Sequence, residues 1–445
     1  MTKKEKRERK KQDQGIVDFM MVTNHFFHEF RDWIAEMDDP RNPSYITYQQ
    51  TDLNYLAILK NVCGQYSMRS MEESFNNENC IRTLSLMSGN QELEEMPHYD
   101  TLNYYLERLS PECLSELRKK MVVSLIRGKQ FNKNRLLGKY WRVIFDGTGL
   151  FYFKEKHCDN CLCTEKKMPD GKKIKFYYHK VLEAKIVLSD RVVISLGTEF
   201  IENENEDVSK QDCELNAAKR LMAKIKKDYP RLPICIQGDA LYEAETIMQL
   251  CKETYHWEYL FTQKETRQKL LDESFEWIKS GDGAEKRSGL CDEKGNACYA
   301  NHVEELAGKK EVMNVFEYEY ETEKHTMRFR WVTSIELTKR NIEEMVLTGR
   351  GRWKIENEGF NNQKNGLYRI EHLNSKNSNA MKNHYLLTQI SDILMQLYLA
   401  WNPYIKELKQ TIKNTSSGLL ESFRRQTVTK EDVSYIFRYT TVYLE

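Results

Sequence analysis

The stretch from residue 140 to residue 262 constrains the fold most, because short apolar runs alternate in it with longer amphipathic segments. Three strand-like runs come first, followed by a helix, a strand, a second helix and a further strand. The predicted strands cover residues 141–145, 176–188, 191–200, 233–237 and 257–262, and the predicted helices cover residues 211–229 and 242–254. We therefore expect an α/β fold in which a mixed sheet begins with antiparallel strands and is flanked by helices.

Two aspartates end predicted strands in this stretch. Asp146 follows the run WRVIF, and Asp239 follows the run PICIQG. Binding groups of α/β proteins collect at the carboxyl ends of sheet strands. We therefore expect the two carboxylates to contribute to one site, although many single aspartates at strand ends are only turn caps.

A third carboxylate, Glu356, lies on a helix that we predict to begin at about residue 337. It interrupts an inward-facing helical stripe whose other members are apolar or glycine: Ile342, Val346, Gly349, Trp353 and Phe360. Burying a carboxylate there is costly unless a cation meets it. That cation is either a metal ion or the side chain of Arg352, one turn earlier.

The stretch between Asp239 and Glu356 is far longer than one connection requires. Two runs in it alternate apolar with charged side chains, which predicts a hairpin with one apolar face and one Glu/Arg face. The apolar positions are Phe316, Tyr318, Tyr320, Met327, Phe329 and Trp331. We interpret residues 266–335 as a β-rich insertion in the catalytic unit.

The remaining segments complete a predicted domain organisation. Helical patterns precede the sheet, and a strongly apolar helix follows the one that bears Glu356. We predict a disordered basic arm at 1–15, a helical domain at 16–138, a catalytic core at 139–265 and 336–401, and a C-terminal tail at 402–445. The helical domain is either a DNA-binding domain or a neutral appendage.

Composition excludes a chain that is basic throughout. Lys and Arg number 68 against 67 Asp and Glu, which gives a formal net charge of +1. Contact with nucleic acid must therefore come from local basic runs, such as those at 118–142 and 219–231, although solvated helix faces produce the same pattern. The 11 scattered cysteines and the absence of a signal-peptide pattern predict a reducing cytoplasm. No apolar run approaches the roughly 20 residues of a membrane span.

Three carboxylates from separate elements suit Mg²⁺, which prefers a few hard oxygen ligands and leaves positions open for water and phosphate. The segments FDGTG, IQGDALY and RWKIENEGFNNQK, in this order of strands and helices, resemble the DDE transposases of bacterial insertion sequences, in particular the insertion-sequence-four type. The resemblance covers about residues 140–400. It implies a ribonuclease-H-like core with a β-rich insertion before the final glutamate.

The resemblance also implies roles for individual residues. Asp146, Asp239 and Glu356 match the catalytic triad that holds two Mg²⁺ ions, for which Mn²⁺ can substitute. Arg352 matches the arginine of the family's Tyr–Arg–Glu–Lys signature, which implies a contact to DNA.

This chain departs from that signature at two positions. Gly349 stands at the tyrosine position, and Gln363 stands at the lysine position with Lys364 beside it. We therefore treat both Gln363 and Lys364 as candidate DNA contacts.

The implied function is metal-dependent cleavage of double-stranded DNA at transposon terminal repeats, followed by strand transfer to target DNA. A homodimer on DNA in the bacterial cytoplasm, at the nucleoid when bound, follows from the same resemblance. Two alternatives stay open. One is a catalytically silent DNA-binding protein of transposase descent, and the other is a ribonuclease-H-like nuclease that cuts without joining.

A second metal site is suggested by His157, Cys158, Cys161 and Cys163, which have half of the spacing of a zinc site. Cys291 and Cys298 are candidates for the other half. The alternative is a plain hairpin extension between two strands.

Overall fold

The computed structural model describes residues 15–168, 171–204, 210–264, 269–281, 283–303, 313–352, 360, 362–401 and 411–439. None of the helices in these ranges combines the length and the apolar character that crossing a membrane requires.

A mixed sheet organises the described part of the chain. Its strands are β1 (Trp141–Phe153), β2 (Leu162–Lys167), β3 (Lys173–Val187), β4 (Val193–Ile201), β5 (Ile234–Gly238), β6 (Glu258–Thr262), β7 (Glu285–Leu290), β8 (Gly295–Val303), β9 (Met313–Glu321) and β10 (Thr326–Thr333). Their spatial order is β2-β3-β1-β5-β6-β10-β9-β8-β7, and β4 lies beside β2 on the same edge of the long strand β3.

The directions of the central strands follow the predicted order. Strand β1 is antiparallel to β3, which is antiparallel to β4, whereas β1, β5 and β6 run parallel to one another. The prediction that the first strand ends at Asp146 is wrong. Strand β1 continues to Phe153, because β3 is long enough to pair with Gly147 and Thr148 as well.

The predicted hairpin is confirmed, with its apolar face and its Glu/Arg face. Phe316 pairs with Trp331 and Tyr318 with Phe329 on one face, while Glu317 pairs with Arg330 on the other. Because β10 also pairs with β6, this β-rich segment continues the same sheet that carries Asp146 and Asp239.

Helices cover the sheet and extend beyond it. They are α1 (Ile16–Phe26), α2 (Phe30–Ala35), α3 (Gln50–Val62), α4 (Met68–Phe75), α5 (Glu78–Ser88), α6 (Tyr99–Arg108), α7 (Pro111–Arg127), α8 (Glu214–Asp228), α9 (Glu245–Gln249), α10 (Lys269–Ser280), α11 (Ile342–Arg350), α12 (Ser378–Trp401), α13 (Ile412–Arg425) and α14 (Lys430–Tyr439). A π-helical turn at Leu250–Tyr255 extends α9.

Helix α12 is the centre of the helical layer. It packs against the N-terminal helices α1, α3, α6 and α7 on one side and against β4 on the other. The predicted strongly apolar helix is confirmed, since Leu387, Ile390 and Leu394 are all buried. One hydrophobic core therefore includes residues of the N-terminal helices, α12 and the sheet.

The segment that we predicted as a C-terminal tail contains α13 and α14, which pack on α5 and α1. Phe423 of α13 is fully buried and meets the ring of Phe75 edge to face, with centroids 4.9 Å apart. The predicted domain boundaries themselves stay a prediction.

Candidate active site

Asp146 and Asp239 occupy matching positions on two neighbouring parallel strands. The register between β1 and β5 pairs Ile144 with Gln237, and each aspartate follows two residues later. Neighbouring strands lie about 4.8 Å apart, so the two aspartates stand side by side at one edge of this strand pair. Their role as metal ligands stays a prediction.

The surroundings of Asp146 are short of positive charge. Burial, together with the nearby carboxylates of Glu214 and Asp239, raises the pKa of this carboxyl to about 6. Arg352 and a hydrogen bond of 3.0 Å from the Gly147 N–H act in the opposite direction without offsetting the burial. A divalent cation at Asp146 and Asp239 would supply the missing charge, so the oxygen donors and their electrostatics fit Mg²⁺.

Glu214 is one of the carboxylates that act on Asp146, and it lies on the other face of the sheet. It lies in the first turn of α8 and stands directly over Gly147, where an added Cβ would clash with the Glu214 carboxylate. Its carboxylate accepts hydrogen bonds from Lys180 and, at 2.6 Å, from the hydroxyl of Tyr242. These two contacts fix the start of α8 against β1.

Sequence reasoning did not find this arrangement. Lys180, Glu214 and Tyr242 come from β3, α8 and the turn after β5, and no spacing in the sequence relates them. The only local signal was the acidic residue at a helix start, which has an ordinary capping interpretation.

Glu356 and Trp353 lie outside the described residues, and so their predicted positions are not assessed. Arg352 and Phe360, four residues on either side of Glu356, are described. Arg352 acts electrostatically on Asp146, and Phe360 belongs to a small buried cluster with Ile144, which points to the same face of β1 as Asp146. Both described neighbours of Glu356 therefore lie near Asp146.

The glycine at the signature's tyrosine position has a packing reason. Gly349 of α11 lies against the indole of Trp331 on β10, and an added Cβ would come within 2.6 Å of that ring. Trp331 is only 2% exposed. A tyrosine at position 349 is incompatible with this contact between the helix and the β-rich segment.

The two candidate DNA contacts after Glu356 have different environments. Gln363 is fully buried and donates hydrogen bonds of 3.0 Å to Gln389 and to Asp392 of α12, so the expectation that it contacts DNA is wrong. Its amide instead satisfies buried polar groups. Lys364 is partly exposed and pairs with Glu371 at 2.9 Å.

Several members of the basic runs are paired within the chain. Arg118 is 2% exposed and donates to the hydroxyl of Ser195 at 2.9 Å. Lys119 and Arg220 each form ion pairs with two carboxylates, of Glu116 and Asp228 and of Glu199 and Asp212 respectively. These three cations of the two runs therefore already have partners within the chain.

A second group of potential ligands lies at the far end of β1. Its members are His157, Cys158, Cys161 and His179, whose ligand atoms all lie within 4.8 Å of one another. Among the described residues, this is the one place where three or more His, Cys, Asp or Glu side chains meet in this way. The prediction that Cys163 is the fourth ligand is wrong, because Cys163 lies in strand β2, outside the group. The fourth member is His179 of β3. Cys291 and Cys298, on the β-rich segment, do not belong to the group.

No protein-family model matches this sequence, and no curated protein matches it. Among solved structures, the chain is similar to a piggyBac transposase, determined by cryo-electron microscopy as a synaptic complex with hairpin DNA. The TM-score is 0.38 and the sequence identity is 10%, over 95% of this chain and 85% of that chain.

Proposed function

We propose that this protein is a DDE-type transposase of the insertion-sequence-four kind, which cleaves double-stranded DNA at transposon ends and transfers the freed strand to target DNA. The observation that supports the proposal is the parallel register of β1 and β5, in which Asp146 and Asp239 each follow the pair Ile144–Gln237 by two residues. Arg352 and Phe360, which flank the segment bearing Glu356, lie near the same point.

The sheet supports a ribonuclease-H-like core. Five strands lie in the order β4-β3-β1-β5-β6. Strand β3 is antiparallel to both β4 and β1, whereas β1, β5 and β6 run parallel, and a helix precedes both β5 and β6. The β-rich segment then leads into α11, immediately before Glu356, where the resemblance expects an insertion.

Asp146, Asp239 and Glu356 would hold the divalent ions, Mg²⁺ or Mn²⁺. When bound, such ions supply Lewis-acid stabilisation of the attacking and leaving oxygens in a phosphoryl displacement. The chain itself positions these ligands: the Lys180–Glu214–Tyr242 contacts hold α8 against Gly147, directly behind Asp146. Arg352 brings a guanidinium beside the carboxylates, where it would bind a DNA phosphate.

Transposon ends, target DNA and a second copy of the chain are the partners that this reaction requires, and the bacterial cytoplasm is where we expect it to occur. The helical region at 16–138 is our candidate for recognition of the terminal repeats, with Lys364 as a further candidate contact. Positioning and charge neutralisation, with no covalent intermediate on the protein, account for the chemistry.

The test is Mg²⁺-dependent cleavage of a duplex that carries the inverted repeats flanking the gene. We expect wild type to nick this DNA and Asp239→Ala to lose at least about 100-fold in rate, equivalent to about 2.7 kcal/mol. Asp292→Ala is the matched control, because Asp292 is an exposed aspartate between β7 and β8. Its rate should equal that of wild type.

The same assay separates the alternatives. Capture of a labelled 3′ end by plasmid DNA supports transposition, whereas nicking without capture supports the nuclease that does not join. Binding of the repeats with no cleavage by wild type supports the silent DNA-binding protein and contradicts the proposal.

A further inference from the structure

We propose that His157, Cys158, Cys161 and His179 bind one structural Zn²⁺ ion. The first three residues lie in the connection between β1 and β2, and His179 lies on β3 where its pairing passes from β2 to β4. The site is separate from the carboxylates of Asp146 and Asp239, both in its residues and in its chemistry.

The ligand atoms converge on a common point. The Nε2 atom of His179 lies 3.4 Å from the Cys158 sulfur, 3.5 Å from the Cys161 sulfur and 3.2 Å from the Nε2 of His157. A single imidazole nitrogen makes one hydrogen bond and cannot satisfy three such neighbours. A cation at the centre satisfies all four atoms together.

The spacing suits a tetrahedral ion. Bond lengths of about 2.3 Å to sulfur and about 2.0–2.1 Å to nitrogen require separations of about 3.6 Å between sulfur and nitrogen and about 3.3 Å between nitrogens. The observed values are 3.4 and 3.5 Å for the former and 3.2 Å for the latter. The two sulfurs lie 3.2 Å apart, which is shorter than the about 3.8 Å of a zinc site but far longer than the about 2.05 Å of a disulfide.

The donor set indicates zinc with a structural role. Two thiolates and two imidazoles form one of the common closed zinc sites, in which four protein ligands leave no position for substrate. Cys161 is 3% exposed and His179 is 5% exposed, so the site is closed to solvent on that side. The ring of Phe153 covers His157 edge to face, with centroids 4.0 Å apart.

The site connects to the candidate active site through hydrogen bonds. The side chain of Asn203 donates to the carbonyl oxygen of Cys161 at 2.9 Å and accepts from the backbone N–H of Asp212 at 3.2 Å. Asp212 lies two residues before Glu214, the first residue of α8. In addition, Lys180, the residue after His179, binds Glu214. A zinc ion would therefore fix both the β1–β2 connection and the start of α8.

The experiment measures metal content of the full-length chain purified without chelators. We expect one zinc per chain by mass spectrometry, and visible absorption typical of tetrahedral thiolate-bound cobalt after exchange for Co²⁺. Cys158→Ser/Cys161→Ser should lose the metal, whereas Cys163→Ser, a neighbouring cysteine outside the cluster, should keep it. Because the double variant can misfold, Cys158→His provides a second test, in which a replacement ligand should retain zinc.

Melting temperature gives a readout that is independent of DNA cleavage. Chelation of wild type should lower it, and added zinc should restore it, while Asp239→Ala should keep its zinc. A wild-type chain that takes up neither zinc nor cobalt overturns the proposal, as does iron with acid-labile sulfide or a Cys158–Cys161 disulfide in the isolated protein. None of these outcomes changes the expectation for cleavage by Asp146 and Asp239.

Discussion

At the scale of single residues, Asp146 has the most unusual environment among the residues of the candidate active site. Its carboxyl is partly buried between like charges, which raises the pKa from 3.8 to about 6. The folded protein therefore holds this proton more tightly than the unfolded chain does. The resulting stabilisation is complete below pH 3.8 and is lost as the pH rises through 6.

We therefore expect Asp146→Asn, which is neutral at every pH, to stabilise the metal-free protein at pH 8, on the order of 1–2 kcal/mol. The difference in free energy of unfolding between the variant and wild type should grow from pH 4 to pH 6 and then level off. Urea unfolding in the presence of a chelator, over this pH range, measures it.

Excess Mg²⁺ should make wild type more stable than Asp146→Asn at pH 8, since the ion binds the aspartate and not the asparagine. Asp292→Asn, at an exposed site, should show neither effect. An Asp146→Asn variant that is less stable than wild type at pH 8 without metal would contradict the charge imbalance described above.

At the scale of secondary-structure elements, the contact between α11 and β10 determines where the segment bearing Glu356 begins. Helix α11 approaches the strand so closely that Gly349 leaves no space for a side chain against Trp331. The stripe residues Ile342 and Val346 are fully buried in the same interface, as the helical spacing predicted.

Gly349→Ala should destabilise the protein by about 1–3 kcal/mol, because overpacking against a buried ring exceeds the gain in helix propensity. Gly418→Ala is the matched control within another helix, since nothing lies within 4 Å of a Cβ built at Gly418. This control should stabilise α13 by about 0.5–1 kcal/mol.

Denaturant midpoints of the two variants provide the comparison. We also expect Gly349→Ala to reduce DNA cleavage, because it displaces the helix that leads to Glu356. Equal midpoints for the two variants would show that α11 can move away from β10 at no cost.

At the scale of the whole molecule, a buried ion pair connects the helical layer to the sheet. Lys185 of β3 is fully buried and lies 3.6 Å from Asp392 of α12. Asp392 also accepts hydrogen bonds from Gln363 at 3.0 Å and Gln396 at 2.9 Å. These contacts join segments that lie far apart in the sequence.

Asp392→Ala should destabilise the protein by about 3–5 kcal/mol, because it leaves the ammonium of Lys185 buried without its ion-pair carboxylate, with the neutral side-chain oxygen of Gln389 as a hydrogen-bond partner at 3.2 Å. Lys364→Ala removes one partner of an exposed ion pair and should cost less than about 1 kcal/mol. Thermal unfolding followed by circular dichroism compares the two. Similar midpoints would indicate that Lys185 reaches another partner or loses its proton when Asp392 is removed.

Much of the fold was predictable because its signals are local. Period-two alternation gave the β9–β10 hairpin with its apolar and its charged face, and helical patterns gave α8 and α12. The end of β1 was not predictable, since a strand continues as long as a neighbour supplies hydrogen bonds, and β3 supplies them past Asp146.

The candidate sites divide in the same way. By itself the sequence determined which side chains carry suitable chemistry, namely two aspartates after apolar runs and a Cys-x-x-Cys pair beside a histidine. Only the tertiary structure decided which groups meet: His179 joined the cysteines in place of Cys163, Glu214 was bound by Lys180, and Gln363 turned into the core. The physical reason is that residue type and spacing act within one element, whereas the partners of a buried polar group come from whichever elements the packing of the sheet and helices brings beside it.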